Sequence, residues 1–363
     1  MSKIALVSAD SHVVEPPDLY SKYMESNCKS ESPQLVPDRI GGQQFFIPGM
    51  TRVLPLGLLS SAGQPSQSLR EEGTRFSDII PAAWQPGARI SSQDADEVAA
   101  EVLYPSLGLV LFTHINRQYA RSCLVAYNRW LADFCSTDRA RLIGLGASAA
   151  SSPEDTVEDF LSIRRLGLRG VVLPLKPGEG IYSSPEYDSV WRTAVELNLP
   201  VSFHAQPPER PLKHPRDPRI VMAPVWEAQE LLLSFIVDGI FERHSGLRVV
   251  FAEFDIEWLP HLIYRLDHQI NRHGHWLGLG SGLSEPASHY TARSLFLTAQ
   301  ERLASKWPAS PSYANVMWSS DFPHSESTFP HSRNAALELS TNFLEEQQDM
   351  ILGKTALALY NLT

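Results

Sequence analysis

Short apolar runs recur along the chain, each followed by a stretch with helical periodicity, and this alternation constrains the fold more than any single residue. The runs are 4–7, Glu101–Pro105, Leu142–Ala147, Gly170–Leu175, Pro200–His204, Leu247–Glu253, Ser294–Leu297 and Val316–Ser319. Between them, Gln118–Cys135 repeats apolar side chains at Tyr119, Cys123, Leu124, Tyr127, Leu131 and Phe134, the spacing of one helix face. Helices are likewise expected over Pro185–Leu197, Trp226–Phe241, Leu259–His268, Phe343–Leu352 and Lys354–Leu359. Ser152-Pro153-Glu154-Asp155 reads as a helix start, with Ser as N-cap and Pro in the first turn. Strands that alternate with helices build a parallel sheet. Eight of them predict a closed (β/α)8 TIM barrel, an architecture of roughly 250 residues. The chain has 363 residues, which leaves room for long inserted loops within a single domain over 1–363. The largest such loop follows the first strand. Residues 15–90 are rich in Pro, Gly, Ser and Gln, and a connection that long predicts an irregular, lid-like excursion.

Composition narrows the partners. A net charge of −10 argues against nucleic acid or an anionic membrane as the main partner. No apolar run approaches the ~18 residues of a membrane span, and the N-terminus does not read as a signal peptide. Cys28, Cys123 and Cys135 show no CxxC spacing and read as reduced thiols. Together these features predict a cytoplasmic protein acting on a small molecule.

Chemistry in such barrels sits at the carboxyl ends of the strands. The ionisable residues there are Asp10 and His12 after the first run, His204 after the fifth, Glu253 after the sixth and Asp321 after the eighth. Along a strand alternate side chains share a face, so Asp10 and His12 can address one point. Imidazoles and carboxylates crowded into one mouth are costly without a cation, and a divalent metal resolves the conflict. The donor set suits iron, manganese or zinc, as one or two ions per chain. His324, His261 and Glu257 are candidates for supporting the ligands or completing a second ion site.

The ordered motifs DSHVVEP, DADEVAAEVLYPS, AYNRWLADFCSTDRARLIGLGA, LGLRGVVLP, LPVSFHA, GIFERHSGLRVVFAEFDIEWLPHLIYRLD and VMWSSDFPHSEST cover almost the whole chain. In them the sequence resembles the amidohydrolase-related, metal-dependent TIM-barrel family typified by aminocarboxymuconate semialdehyde decarboxylase. The resemblance implies a metal held by Asp10, His12, His204 and Asp321, and members that often form homodimers through exterior helices. Two departures stand out. The first motif is D-x-H where several relatives have H-x-H, and Glu253 stands where family decarboxylases carry a catalytic histidine on the sixth strand. A glutamate suits a further metal ligand or a base acting on water. On that ground the expected reaction is hydrolysis of a carboxylic ester or thioester, acyl-CoA included, by metal-activated water. Asp321 or Glu253 would take the proton, and His114 would orient the carbonyl. A non-oxidative decarboxylase of a small aromatic or enoic acid is the alternative.

The remaining features are weaker. His261, His268, His273 and His275 resemble a metal box, but the first two share a helix face and the last two fall in a glycine-rich stretch read as loop, so a solvated or substrate-lining role is expected. Arg210, Lys213, His214, Arg216 and Arg219 form a basic loop after His204, of which Arg210, Lys213 and Arg216 are candidates for clamping a phosphate or carboxylate. Trp226, Trp258 and Trp276 could wall an apolar pocket.

Overall fold

The computed structural model describes residues 5–26, 28–206, 219, 222–278, 280–301, 303 and 315–362. Eight strands form one parallel sheet: β1 (Val7–Val13), β2 (Ala100–Pro105), β3 (Leu142–Ala147), β4 (Gly170–Leu173), β5 (Val201–His204), β6 (Val249–Ala252), β7 (Leu295–Ala299) and β8 (Val316–Trp318). They are hydrogen-bonded in chain order, each to the next, and wrap into a nearly closed barrel surrounded by helices. This is the expected (β/α)8 barrel.

Local sequence explains the helix placements. Asn116 caps the helix Arg117–Cys135 by accepting from the Tyr119 amide, and Ser152 caps Pro153–Arg165 by accepting from Asp155. The first of these buries Leu124, Leu131 and Phe134, each contributing roughly 1.5–3 kcal/mol. Both helices press closely on β3, where only glycine fits: a Cβ on Gly146 would lie 2.5 Å from Ile163.

Several expectations are corrected. The first strand does not end at Val7. It begins there and runs through Asp10 and His12 to Val13, with a register shift against β2 between Ser8 and Ser11. The 15–90 excursion is not structureless. It holds an antiparallel three-stranded sheet (Gln34–Pro37, Gln43–Phe46, Leu54–Pro55), and a helix, Pro86–Ala95, straddles its end. Its alternation is masked by strands of two to four residues, too short for a periodic signal. The helix expected over Leu259–His268 continues to Leu277, so His273 and His275 are helical rather than in a loop. Its stop is the left-handed Gly278 at φ 69°. The helix Ser332–Ser340 was not anticipated. No helix among the described residues is long and apolar enough to cross a membrane.

Candidate active site

Barrel closure brings together residues that are 311 positions apart, Asp10 and Asp321. Asp10 and His12 come from inside β1, His204 ends β5, and Glu253 follows β6. Asp321 and His324 lie on the loop after β8. The Nε2 atoms of His12 and His204 are 3.2 Å apart. Asp10 Oδ1 lies 3.6 Å from the first and 3.4 Å from the second, and Asp321 Oδ1 lies 3.3 Å from His12 Nε2. Glu253 Oε2 is 3.3 Å from His204 Nε2. His324 stacks on His12 with centroids 3.8 Å apart, and its Nδ1 is 3.2 Å from Asp321 Oδ1.

The hydrogen bonds around this cluster orient its donors inward. His12 Nδ1 faces the Pro105 carbonyl at 3.1 Å, and His204 Nδ1 faces the Ala205 carbonyl at 2.7 Å. A carbonyl only accepts, so each Nδ1 carries a proton and each ring turns Nε2, the nitrogen free to ligate a cation, towards its counterpart. Asp10 Oδ1 and Asp321 Oδ1 are buried with no hydrogen-bond partner. Two buried, orphaned carboxylate oxygens aimed at one point are costly unless positive charge sits among them. Asp10, His12 and His204 form one group able to hold a metal ion, and His12, Asp321 and His324 form another.

Electrostatics follow from that crowding. Burial, reinforced by His324 and His204, holds the His12 ring well below its usual range. Burial also disfavours the His204 cation, but Asp10 and Glu253 outweigh it and lift this ring to about 9. Desolvation, then His204 against the added repulsion of Asp321 and Asp10, leaves Glu253 raised to about 8, although its side chain is 35% exposed and water at the mouth screens it. Asp321 is raised well above the carboxylate range by burial and by Asp10. Both carboxylates sit on left-handed backbone, φ 62° at Glu253 and 54° at Asp321. For residues other than glycine such strain collects at functional sites.

The other residues singled out in the sequence fall elsewhere. His114 is buried with both ring nitrogens facing backbone: Nε2 lies 2.8 Å from the Pro48 carbonyl, while Nδ1 accepts from the Asn116 amide at 3.0 Å. It tethers the inserted segment to the barrel and contacts no member of the cluster through these bonds. His261 and Glu257 are exposed and outside both metal-capable groups. Arg210, Lys213, His214 and Arg216 lie outside the described residues, and Arg219 is exposed. Trp258, with Phe254, Met222 and Val225, lines a cavity running along the ends of β6 and β7, whereas Trp226 and Trp276 are 51% and 62% exposed.

Sequence reasoning missed the support beneath the ligands. Ser8, Ser11 and Ser320 hydrogen-bond to one another across the ends of the sheet. Ser106 Oγ donates to the Val13 carbonyl, and His324 Nε2 lies 2.9 Å from it. Glu15 is fully buried and accepts from the Leu107 and Gly108 amides, and Arg89 pairs with Glu101 in the interior. Serines carry no distinctive pattern. Arg89 lay in a stretch read as irregular, where Pro86 at a helix start was the available signal.

A family model described as amidohydrolase matches residues 112–362, more than half of the chain. The chain is 27% identical over 167 residues to a gamma-resorcylate decarboxylase of Rhodococcus jostii, covering 39% of this chain and 47% of that protein. It is 26% identical over 204 residues to a 2-amino-3-carboxymuconate-6-semialdehyde decarboxylase of Dictyostelium discoideum, covering 55% and 56%. The chain thus spans about half the length of these curated relatives. Among solved structures, an amidohydrolase of Mycobacterium avium subsp. paratuberculosis superposes with a TM-score of 0.77 at 20% identity, over 99% of this chain and all of that one. A dihydroxybenzoic acid decarboxylase of Polaromonas sp. with bound manganese and 2-nitroresorcinol gives 0.64 at 16%, over 99% and 98%. These two show a shared fold.

The comparisons overturn the expectation of an ester or thioester hydrolase, since the curated relatives are decarboxylases. Residue type at position 253 was not enough to choose the reaction: burial and the neighbouring carboxylates raise Glu253 to about 8, away from the ordinary glutamate range. Barrel, strand-end donor cluster and matched family model agree: this chain is an enzyme of the amidohydrolase family.

Proposed function

We propose that the protein is a metal-dependent, non-oxidative decarboxylase of a small aromatic or enoic carboxylic acid. The observation that carries this reading is the buried convergence of Asp10, His12, His204 and Asp321, with two carboxylate oxygens left without partners. The decarboxylase activity of the curated relatives supports the reaction class. In this reading these four residues hold one divalent ion, and the mixed carboxylate and imidazole set favours manganese or iron over zinc. The bound ion supplies positive charge that draws in the substrate carboxylate.

The rest of the chemistry belongs to the chain. Decarboxylation replaces a carbon–carbon bond by a carbon–hydrogen bond: the carboxylate leaves as carbon dioxide, its bonding pair stays on the substrate carbon, and a proton arrives there. Asp321, which meets His12 and His324 through Oδ1, passes that proton on from a carboxyl oxygen. Glu253, partly open to solvent, restores it from water. Phe254 and Trp258 line the cavity at the ends of β6 and β7 that would take the substrate's apolar part. The inserted segment shapes the mouth in this reading: the Ala62 amide donates to the Pro323 carbonyl, and the Ser325 amide to that of Leu58. The whole chain then works as one domain.

The test is incubation of the manganese-loaded protein with a panel of hydroxybenzoic and enoic acids, measuring carbon dioxide and decarboxylated product together. Stoichiometric release of both is expected from at least one acid. Ester cleavage without carbon dioxide would sink the proposal.

A further inference from the structure

β1 and β8 are the two ends of the strand order, and the barrel closes between them through a few bonds at their carboxyl ends. The Asp321 amide donates to the Asp10 carbonyl at 3.0 Å, and the His12 amide donates to the Phe322 carbonyl at 2.6 Å. Metal-site residues therefore sit on both sides of the gap: Asp10 and His12 on one, Asp321 on the other. The spacing between them is set by the seam.

Arg89 spans that seam. It comes from the helix Pro86–Ala95 at the end of the inserted segment, and its side chain is wholly buried. Nη1 donates to the His12 carbonyl at 2.8 Å and Nη2 to the Phe322 carbonyl at 3.2 Å. The guanidinium carbon lies 4.5 Å above the Phe322 ring. Its charge is met by Glu101 on β2: Nε reaches one carboxylate oxygen at 2.6 Å and Nη2 the other at 3.2 Å. Glu101 is held in turn by Ser11 Oγ at 3.0 Å and Gln93 Nε2 at 2.7 Å. One rigid planar group thus binds the backbone of a ligand on one side, the backbone beside a ligand on the other, and the neighbouring strand.

The geometry points to Arg89 as a positioning residue for the metal site, one that fixes Asp10 and His12 against Asp321; the inference rests on the metal-site reading above. A buried ion pair adds little net stability over well-packed apolar side chains, so this one is better accounted for by geometric specificity. Only arginine offers a fork that can serve two carbonyls and a carboxylate at once. The inserted segment, in this view, is part of the ligand scaffold as well as a frame for the mouth.

The experiment compares wild-type protein with Arg89→Lys, titrating each with manganese ion and melting each with and without it. Lysine keeps the charge beside Glu101 but cannot bridge both carbonyls. Manganese affinity is expected to fall by roughly 10- to 100-fold, the range for groups that orient metal ligands. The manganese-induced rise in Tm should shrink accordingly. A residue serving stability alone would lower the Tm of both forms equally and leave manganese affinity unchanged, which would overturn the inference. Should R89K fail to fold, Glu101→Gln takes its place: it keeps the shape, loosens the guanidinium and is expected to weaken manganese binding, and unchanged affinity there overturns the inference equally. Wild-type protein that takes up no manganese would instead overturn the underlying site reading.

Discussion

The chain has two histidine-rich regions, and they behave in opposite ways. His12, His204 and His324 come from β1, β5 and the loop after β8, and their rings meet with His12 in the middle. His261, His268, His273 and His275 share the single helix Leu259–Leu277 and lie exposed or half-buried. His268 stacks loosely on its own helix neighbour Tyr264, and His273 meets Trp276 edge-on. The second set is the denser in sequence, yet only the first is metal-capable among the described residues. Rings along one helix fan out and keep their water. Rings at the ends of barrel strands are forced onto one axis and lose it, which is why His12 and His324 are pushed down, the latter to about 4, while His204 beside two carboxylates rises.

The largest effect expected from this contrast is on metal removal. Chelation should abolish turnover and added manganese should restore it; activity that survives exhaustive chelation would break the distinction. Next comes Asp321→Asn, which should lower kcat by about 10³-fold, within the span of a lost proton-transfer group. Retention of near-wild-type kcat by this variant would remove Asp321 from the chemistry.

The contrast extends to buried carboxylates. Glu15 is raised to about 7, first by burial and against the Leu107 and Gly108 amides that pull it down. The folded protein therefore keeps a proton on Glu15 that the unfolded chain releases near 4.5. That stabilising contribution is complete below the unfolded value and is lost as pH rises towards about 7, a change on the order of 3 kcal/mol. Wild-type protein should lose Tm relative to Glu15→Gln between pH 5 and pH 8, and parallel melting curves for the two would refute the shift. Smallest of all, His273→Ala should change stability by less than about 0.5 kcal/mol and leave turnover untouched. A large loss of activity in that variant would show that the exposed helix reaches the substrate after all.

Much of the barrel was legible because its signals are local. The β3 run Leu142–Ala147 and the capped helices after Asn116 and Ser152 are readable within windows of a few residues. Strand-end donors were legible for the same reason, since Asp10, His12, His204, Glu253 and Asp321 each sit at or just past an apolar run. The inserted sheet was not, because strands of two to four residues show no period. Nor was the length of the helix Leu259–Leu277, whose last turns pass through a polar, glycine-bearing stretch that reads as loop. His114 looked well placed for substrate, but its partner is the Pro48 carbonyl, 66 positions away, and no local pattern announces such a contact.

By itself the sequence determined the eightfold alternation, and with it a barrel whose donors lie at one rim, because backbone periodicity and capping act over a few residues. Tertiary structure alone decided which of those donors meet. Barrel closure set Asp10 and His12 against Asp321, left two carboxylate oxygens unpartnered and buried Arg89 across the seam. It also set the surroundings of Glu253: residue type suggests an ordinary carboxylate, whereas folding places His204, Asp321 and Asp10 around a side chain still partly open to water.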